Sequence, residues 1–178
     1  MLDMTSFSSI MVGGPDATEF LQRVCSNDVD SAVGKVRYSL LLNEGGGILG
    51  DITVVRLADD RYMLTTGGGS SPGIHGGWLK EHAPDTVSVQ IQEGGKTTIG
   101  LWGPKSRLLL QRCTDADIPN DGFPSFTAQQ TYAGAVPVLP FPGSSVGEPA
   151  RELAAPAQPG PPRCSARSRQ RAAPPRPH

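Results

Sequence analysis

Cysteine is scarce in this chain: Cys25, Cys113 and Cys164 are the only three among 178 residues. Odd in number and far apart, they exclude a disulfide framework and a zinc knuckle. The apolar residues around Cys25 and Cys113 make them small core side chains. No apolar run approaches the ~20 residues of a membrane-spanning helix. Met1-Leu2-Asp3-Met4 has neither the basic region nor the apolar stretch of a signal peptide. The net charge is only −1, so no global field favours nucleic acid or a membrane surface. The expectation is a soluble protein of a reducing compartment: the cytoplasm or, in a eukaryote, the mitochondrial matrix.

The scarcities are not uniform along the chain. Residues 137–178 contain no lysine, one aromatic residue (Phe141) and two acids (Glu148 and Glu152), but six arginines and 11 of the 17 prolines. A stretch so poor in large apolar groups buries too little surface to offset its ordering entropy. It is read as a disordered Pro/Arg-rich tail behind a domain over residues 1–136. Arg163, Arg167, Arg169 and Arg171 offer phosphate contacts, but no aromatic residue lies among them for base stacking. A solvated tail is the preferred reading.

What is present in residues 1–136 is alternation and punctuation. Thr5–Val12 reads as a strand that Gly13-Gly14-Pro15 breaks. Ala17, Phe20, Leu21 and Val24 follow at helical spacing, with Pro15 suited to the first turn. Val36–Leu42 and Ile48–Leu57 flank Asn43-Glu44-Gly45-Gly46-Gly47, which predicts a β-hairpin. Tyr62–Thr66 is a further strand. Ile74, Trp78 and Leu79 suggest a short helix before Pro84, weakened by Gly76-Gly77. Thr86–Gln92 and Thr97–Trp102 predict a second hairpin across Glu93–Lys96, and Gly103-Pro104 opens another helix. The order of elements predicts an α+β fold with mainly antiparallel strands and packed helices.

Several motifs are excluded by their context. Gly45-x-Gly47-x-x-Gly50 matches a dinucleotide fingerprint by letter, but a β-rich stretch follows it where that fingerprint needs a helix. Gly95-Lys96-Thr97 lacks the first glycine of a phosphate loop, since residue 90 is Gln90. His75 and His82 lack a third ligand for catalytic zinc and read as surface or structural residues. Ser70-Ser71 has no nucleophile-elbow context. Asp51 is different: it opens the β-branched run Ile52-Thr53-Val54-Val55. A carboxylate entering a sheet is costly if buried without a partner. Two readings stand: an acid capping the preceding turn, or a carboxylate presented to bind a polar heterocycle or an amine.

Three ordered landmarks carry a resemblance. They are Gly14-Pro15-Asp16-Ala17-x-x-Phe20-Leu21-Gln22-Arg23 with Ser26-Asn27-Asp28-Val29; Gly34-Lys35-Val36-x-Tyr38, Leu42-Asn43-Glu44-x-Gly46-Gly47-Ile48 and Asp51-Ile52-Thr53-Val54; and Gly103-Pro104-Lys105-Ser106-Arg107 with Leu109-Leu110. Over residues 3–136 the chain resembles the folate-binding domain of the aminomethyltransferase (glycine cleavage T-protein) family, which includes the C-terminal halves of dimethylglycine and sarcosine dehydrogenases. T-proteins commonly show two adjacent aspartates where this chain has Gly50-Asp51, so the pattern looks more like the dimethylglycine dehydrogenase branch.

The resemblance implies transfer of an aminomethyl or iminium carbon to tetrahydrofolate. It implies a small-molecule amine or iminium donor and a flavin-containing domain on another chain, with no nucleic acid and no membrane as partner. The family's functional aspartate matches Asp51, as catalytic and folate-binding residue, and its pocket segment matches Leu42 and Asn43. Further on, the family's glutamate-bearing motif meets Ser144-Ser145-Val146-Gly147-Glu148-Pro149-Ala150-Arg151-Glu152-Leu153, which makes Glu148 a folate-binding candidate although the Gly–aromatic pair is replaced by Ala150-Arg151. The expectation is an incomplete domain of T-protein type whose reading frame shifts near residues 137–155. A non-catalytic folate-binding module and an inactive fragment are the alternatives.

Overall fold

Pro15 and the apolar spacing behind it produce helix α1, Ala17–Val24, whose inward residues Ala17, Phe20, Leu21 and Val24 are all buried. Asp16 at the helix start makes no side-chain capping bond and instead accepts a hydrogen bond from the Thr86 hydroxyl. Gly14 beside it has φ +135°, and a Cβ there would lie 2.0 Å from the Thr86 carbonyl oxygen. Only glycine fits both the backbone angle and the close approach.

The computed structural model describes residues 1–92, 94, 96–103, 105–114, 131–133, 136–143 and 150–156. Around α1 the elements run β1 (Leu2–Asp3), β2 (Ser8–Gly13), β3 (Val36–Leu42), β4 (Ile48–Ala58), β5 (Arg61–Thr66), α2 (Ser71–His82), β6 (Ser88–Gln92), β7 (Lys96–Trp102), α3 (Ser106–Gln111), β8 (Thr131–Ala133), β9 (Val136–Gly143) and β10 (Ala150–Pro156). The chain divides into two units: Thr5–Gly95, and Met1–Met4 with Lys96–His178. Each unit is built on a five-stranded sheet, ordered β3-β4-β5-β2-β6 in the first and β1-β7-β10-β9-β8 in the second. Every described strand pair is antiparallel. The fold is α+β, as the order of elements predicts.

In the unit of residues 5–95, one sheet face carries the core. Ile10, Val12, Leu41, Ile52, Val54, Tyr62 and Leu64 from the strands meet Phe20, Leu21 and Val24 of α1 and Leu79 of α2. Truncating a buried phenylalanine such as Phe20 to alanine costs roughly 3–5 kcal/mol. The Tyr62 hydroxyl, inside this core, lies 2.7 Å from the Thr18 hydroxyl. Helix α2 is longer than its glycines suggest. It starts at Ser71 with Pro72 in its first turn, and at Gly76 a Cβ would lie 2.4 Å from Ile91 Cγ1. The glycine that weakens the helix locally lets it lie close to β6.

Two sequence expectations are corrected here. Thr86–Gln92 and Thr97–Trp102 do not form a hairpin: β6 pairs with β2, whereas β7 pairs with β1 and β10. Alternation marked both strands, but partner choice is set by tertiary packing, and the chain leaves one unit for the other between them. The tail expected to be disordered from residue 137 contains two strands, β9 and β10, which pair with each other over Ala150↔Gly143 to Ala154↔Leu139. Proline lacks only the donor on its own side of a strand. Pro140 and Pro142 are two apart and share a side, and β8 borders β9 only at Val136–Val138, so Leu139 and Phe141 can carry the ladder. Residues 157–178, including Cys164 and the arginine cluster, lie outside the described residues.

Candidate functional site

The β3–β4 hairpin places the candidate residues. Its turn is closed by Asn43, whose Oδ1 accepts hydrogen bonds from the N–H groups of Gly45 (3.0 Å) and Gly47 (2.7 Å). The Asn43 and Gly46 N–H groups complete it by donating to the Gly47 and Asn43 carbonyls. Gly46 holds φ +76°, a conformation that asparagine and glycine reach most readily. The Gly45-x-Gly47-x-x-Gly50 pattern is therefore a hairpin turn running into a strand.

Asp51 lies within β4, directly across from Leu40. It does not cap the turn; Asn43 does, which removes the first of the two sequence readings. Asp51 is exposed, and its carboxylate has no hydrogen-bond or ion-pair partner among the described residues. Because it stays in water, its charge carries no large burial cost. Opposed residues in a ladder share a face, and residues two apart share it too. Tyr38 and Thr53 form one rung, Leu40 and Asp51 the next, and Leu42 and Ile48 the last. Thr65 on β5 extends the Thr53 rung. Tyr38 and Ile48 are 55% and 65% exposed, so this face offers apolar surface beside the carboxylate.

Leu42 lies on this face by simple alternation along β3, whereas Ile48 reaches it through a bulge in β4. Leu41 pairs with Gly50 and Leu42 with Ile48, which leaves Leu49 as the extra residue. Leu49 packs against the core, and Gly50 presents no side chain. The space over Gly50 is filled by the His75 ring, whose Cε1 would lie 2.3 Å from a Cβ at residue 50. His75 is buried, with Nδ1 2.6 Å from the Thr66 hydroxyl and Nε2 3.1 Å from the Leu49 carbonyl. A carbonyl only accepts, so Nε2 bears the proton, and in the neutral ring Nδ1 accepts from Thr66. His75 is thus structural rather than a surface residue.

The β3 edge is held by the segment after α1. Ser26 N–H donates to the Leu40 carbonyl, Leu40 N–H donates to Ser26 Oγ, and Asn27 Nδ2 donates to the Tyr38 carbonyl. Cys25 bridges to Leu41 and is buried, which pushes its thiol up to about 11 against a smaller opposing effect of the Ser39 hydroxyl. His82 does not converge with His75. It stacks on Trp78 at 4.2 Å, donates through Nδ1 to the Trp78 carbonyl and sets Nε2 3.5 Å from a Glu44 carboxylate oxygen. Among the described residues no group of three potential ligands could hold a metal ion.

Of the sequence-derived candidates, Leu42 and Asp51 fall on one face, while Asn43 spends its side-chain oxygen on the turn. Glu148 lies outside the described residues. Tyr38 and Ile48 were not singled out as site residues, although the alternation Tyr38-Leu40-Leu42 signals a common face. His75 left no local signal, because its partners are distant in sequence.

Residues 1–162 match the family described as the GCVT N-terminal domain. The chain belongs to this family. The match runs past residue 136, through both strands of the expected tail. The GCVT-family chain is 34% identical over 166 residues to the sarcosine oxidase subunit alpha of Rhizobium meliloti, covering 88% of this chain and 17% of that protein. It is 35% identical over 120 residues to an aminomethyltransferase of Chloroherpeton thalassium, covering 66% of this chain and 33% of that protein. Its fold matches the glycine cleavage system aminomethyltransferase T of Bartonella henselae with a TM-score of 0.75 at 27% identity, over 93% of this chain and 44% of that one. The heterotetrameric sarcosine oxidase of Corynebacterium sp. U-96 shares the fold, with a TM-score of 0.62 at 18% identity over 85% of this chain and 72% of that one. The chain thus spans 17% and 33% of the length of the two curated relatives, sarcosine oxidase subunit alpha and the Chloroherpeton aminomethyltransferase. No described helix is long and apolar enough to cross a membrane.

Proposed function

We propose that this chain carries the tetrahydrofolate-facing part of a one-carbon transfer enzyme and that Asp51 is its principal functional residue. The observation that supports this is an exposed carboxylate inside a regular strand, with no partner among the described residues and flanked by apolar surface. An unpaired carboxylate accepts hydrogen bonds from the N–H groups of a pterin-type heterocycle. The flat ring of Tyr38 and the side chains of Leu40 and Leu42 suit the apolar part of such a molecule. This acceptor and its apolar surroundings therefore suit tetrahydrofolate.

Bound tetrahydrofolate would supply the nitrogen nucleophile that takes up the one-carbon unit. Asp51 would steer a cationic iminium donor and hold a proton lost from the attacking amine at its carboxylate. Leu42 would line the site. Asn43 would contribute by fixing the turn, with Nδ2 as its remaining donor. The relatives named sarcosine oxidase support an iminium donor produced by amine oxidation, with a flavin-containing chain as partner. The relatives named aminomethyltransferase support an aminomethyl donor.

Calorimetric titration of the chain with tetrahydrofolate under anaerobic conditions, beside Asp51→Ala, tests this reading. Saturable binding that the substitution weakens supports it. A folded wild-type chain that takes up no tetrahydrofolate rejects it. Formation of 5,10-methylenetetrahydrofolate from an aminomethyl donor separates an enzyme from a binding module.

A further inference from the structure

We infer that His75 is a positioning residue for Asp51: from α2 it anchors the Leu49 bulge and thereby fixes the face on which the hairpin presents the carboxylate. This inference rests on the folate reading of Asp51.

The bulge decides what surrounds Asp51. Without the extra residue, Ile48 would stand two positions from Gly50 in an unbroken alternation and share the core face with it. With Leu49 inserted, Ile48 pairs with Leu42 on the face of Asp51. A bulge is also a point of weakness, because its extra residue leaves the ladder. Here the Leu49 carbonyl is taken by His75 Nε2, and the other ring nitrogen is tied to Thr66 on β5, a strand that already pairs with β4 across Ile52. One imidazole thus joins the bulge to the neighbouring strand. Gly50 completes the arrangement. At the bulge both Leu49 and residue 50 turn toward the core, and the space admits one side chain and the ring, not two side chains and the ring. Gly50, immediately before Asp51, is the counterpart of His75. An imidazole at 75 and a side chain at 50 exclude each other in this geometry.

The experiment uses the full chain in five forms: wild type, His75→Ala, His75→Gln, Asp51→Ala and the double variant Asp51→Ala with His75→Ala. Backbone amide hydrogen exchange is followed at Gly50 and Asp51 without ligand, and tetrahydrofolate affinity is measured by calorimetry. His75→Ala should speed exchange at Gly50 and Asp51 while Val12 and Leu64 in the sheet centre keep their protection. It should also weaken tetrahydrofolate binding by about tenfold, the range of effects that residues acting through a neighbour produce. Gln, which can donate from the same distance to the Leu49 carbonyl and accept from Thr66, should restore both. In the Asp51→Ala background His75→Ala should cost no further affinity, whereas a merely structural role would lower affinity in both backgrounds. Unchanged exchange and affinity in His75→Ala, or a loss that adds fully to that of Asp51→Ala, overturns the inference. Should His75→Ala not fold, Thr66→Val, which frees Nδ1 and spares the Leu49 bond, is read by the same two measurements. A wild-type chain that binds no tetrahydrofolate rejects the folate reading, and the exchange comparison alone then upholds or overturns His75 as the anchor of Asp51.

Discussion

Arg56 and Asp30 join β4 to the segment between α1 and β3, with Arg56 Nη1 2.7 Å from Asp30 Oδ1. The same guanidinium donates to the carbonyls of Ser31 (2.8 Å) and Asp59 (2.8 Å) and lies over the Tyr62 ring at 5.5 Å. Asp30 is largely exposed, so the ion pair itself contributes little. The bonds to backbone carbonyls matter more. Arg56→Ala is expected to destabilise the chain by about 1.5–3 kcal/mol, the range for hydrogen bonds that involve a charged group. Arg56→Lys should recover only part of this, because one ammonium does not reproduce the fork. Urea unfolding of the three proteins measures it.

Asp51 is expected to behave in the opposite way. With no partner among the described residues, it contributes nothing that its removal would take from the fold. Asp51→Asn should leave the urea midpoint unchanged and weaken tetrahydrofolate binding by about tenfold or more, the loss of one charge-assisted hydrogen bond. A shifted midpoint with unchanged affinity would place Asp51 in the scaffold instead.

Asn43 holds the hairpin turn through two backbone N–H groups. Asn43→Ala leaves both without that acceptor and should cost about 1 kcal/mol, as the loss of a side-chain cap does. Asn43→Asp keeps the acceptor and should stay near wild type. Thermal unfolding distinguishes the two.

Cys25 links stability to alkaline pH. Burial raises its thiol from the ordinary 9.0 to about 11 in the fold, so between these values the native chain holds a proton that the unfolded chain has released. The stabilisation is therefore full below pH 9 and is lost as pH rises toward 11, at about 1.4 kcal/mol per pH unit. Cys25→Ser should flatten this slope in urea titrations between pH 8 and 11. At pH 8 the half-buried Cys113 should be alkylated before Cys25.

Much of the fold was legible because its signals are local. The spacing Ala17, Phe20, Leu21, Val24 marks α1, and Asn43–Gly47 between two β-rich runs marks the site hairpin. What was illegible depends on partners far along the chain. Val87, Val89 and Ile91 show that β6 is a strand but not that it joins β2. The prolines of β9 argue against a strand until the neighbours that do not need their donors are known. Asp51 stood out by its chemistry and Leu42 by resemblance, whereas His75 depended on Thr66 and Leu49 being brought to either side of its ring. Gly50 looked like part of a nucleotide-binding pattern, and its reason is one imidazole.

Strand β2 sits between β5 and β6, paired to Arg61–Thr66 on one side and to Ser88–Gln92 on the other. The sheet that carries Asp51 is therefore closed by the last strand of its unit and the first, with everything else looped between them. Such long-range closure is slow relative to the local hairpins. On the ribosome the β3–β4 and β4–β5 hairpins can form early, but β2 keeps one bare edge until Gln92 has emerged. Over that interval the nascent chain exposes an unpaired strand edge, and any pause in translation before residue 92 prolongs its exposure to chaperones and to other unfinished chains.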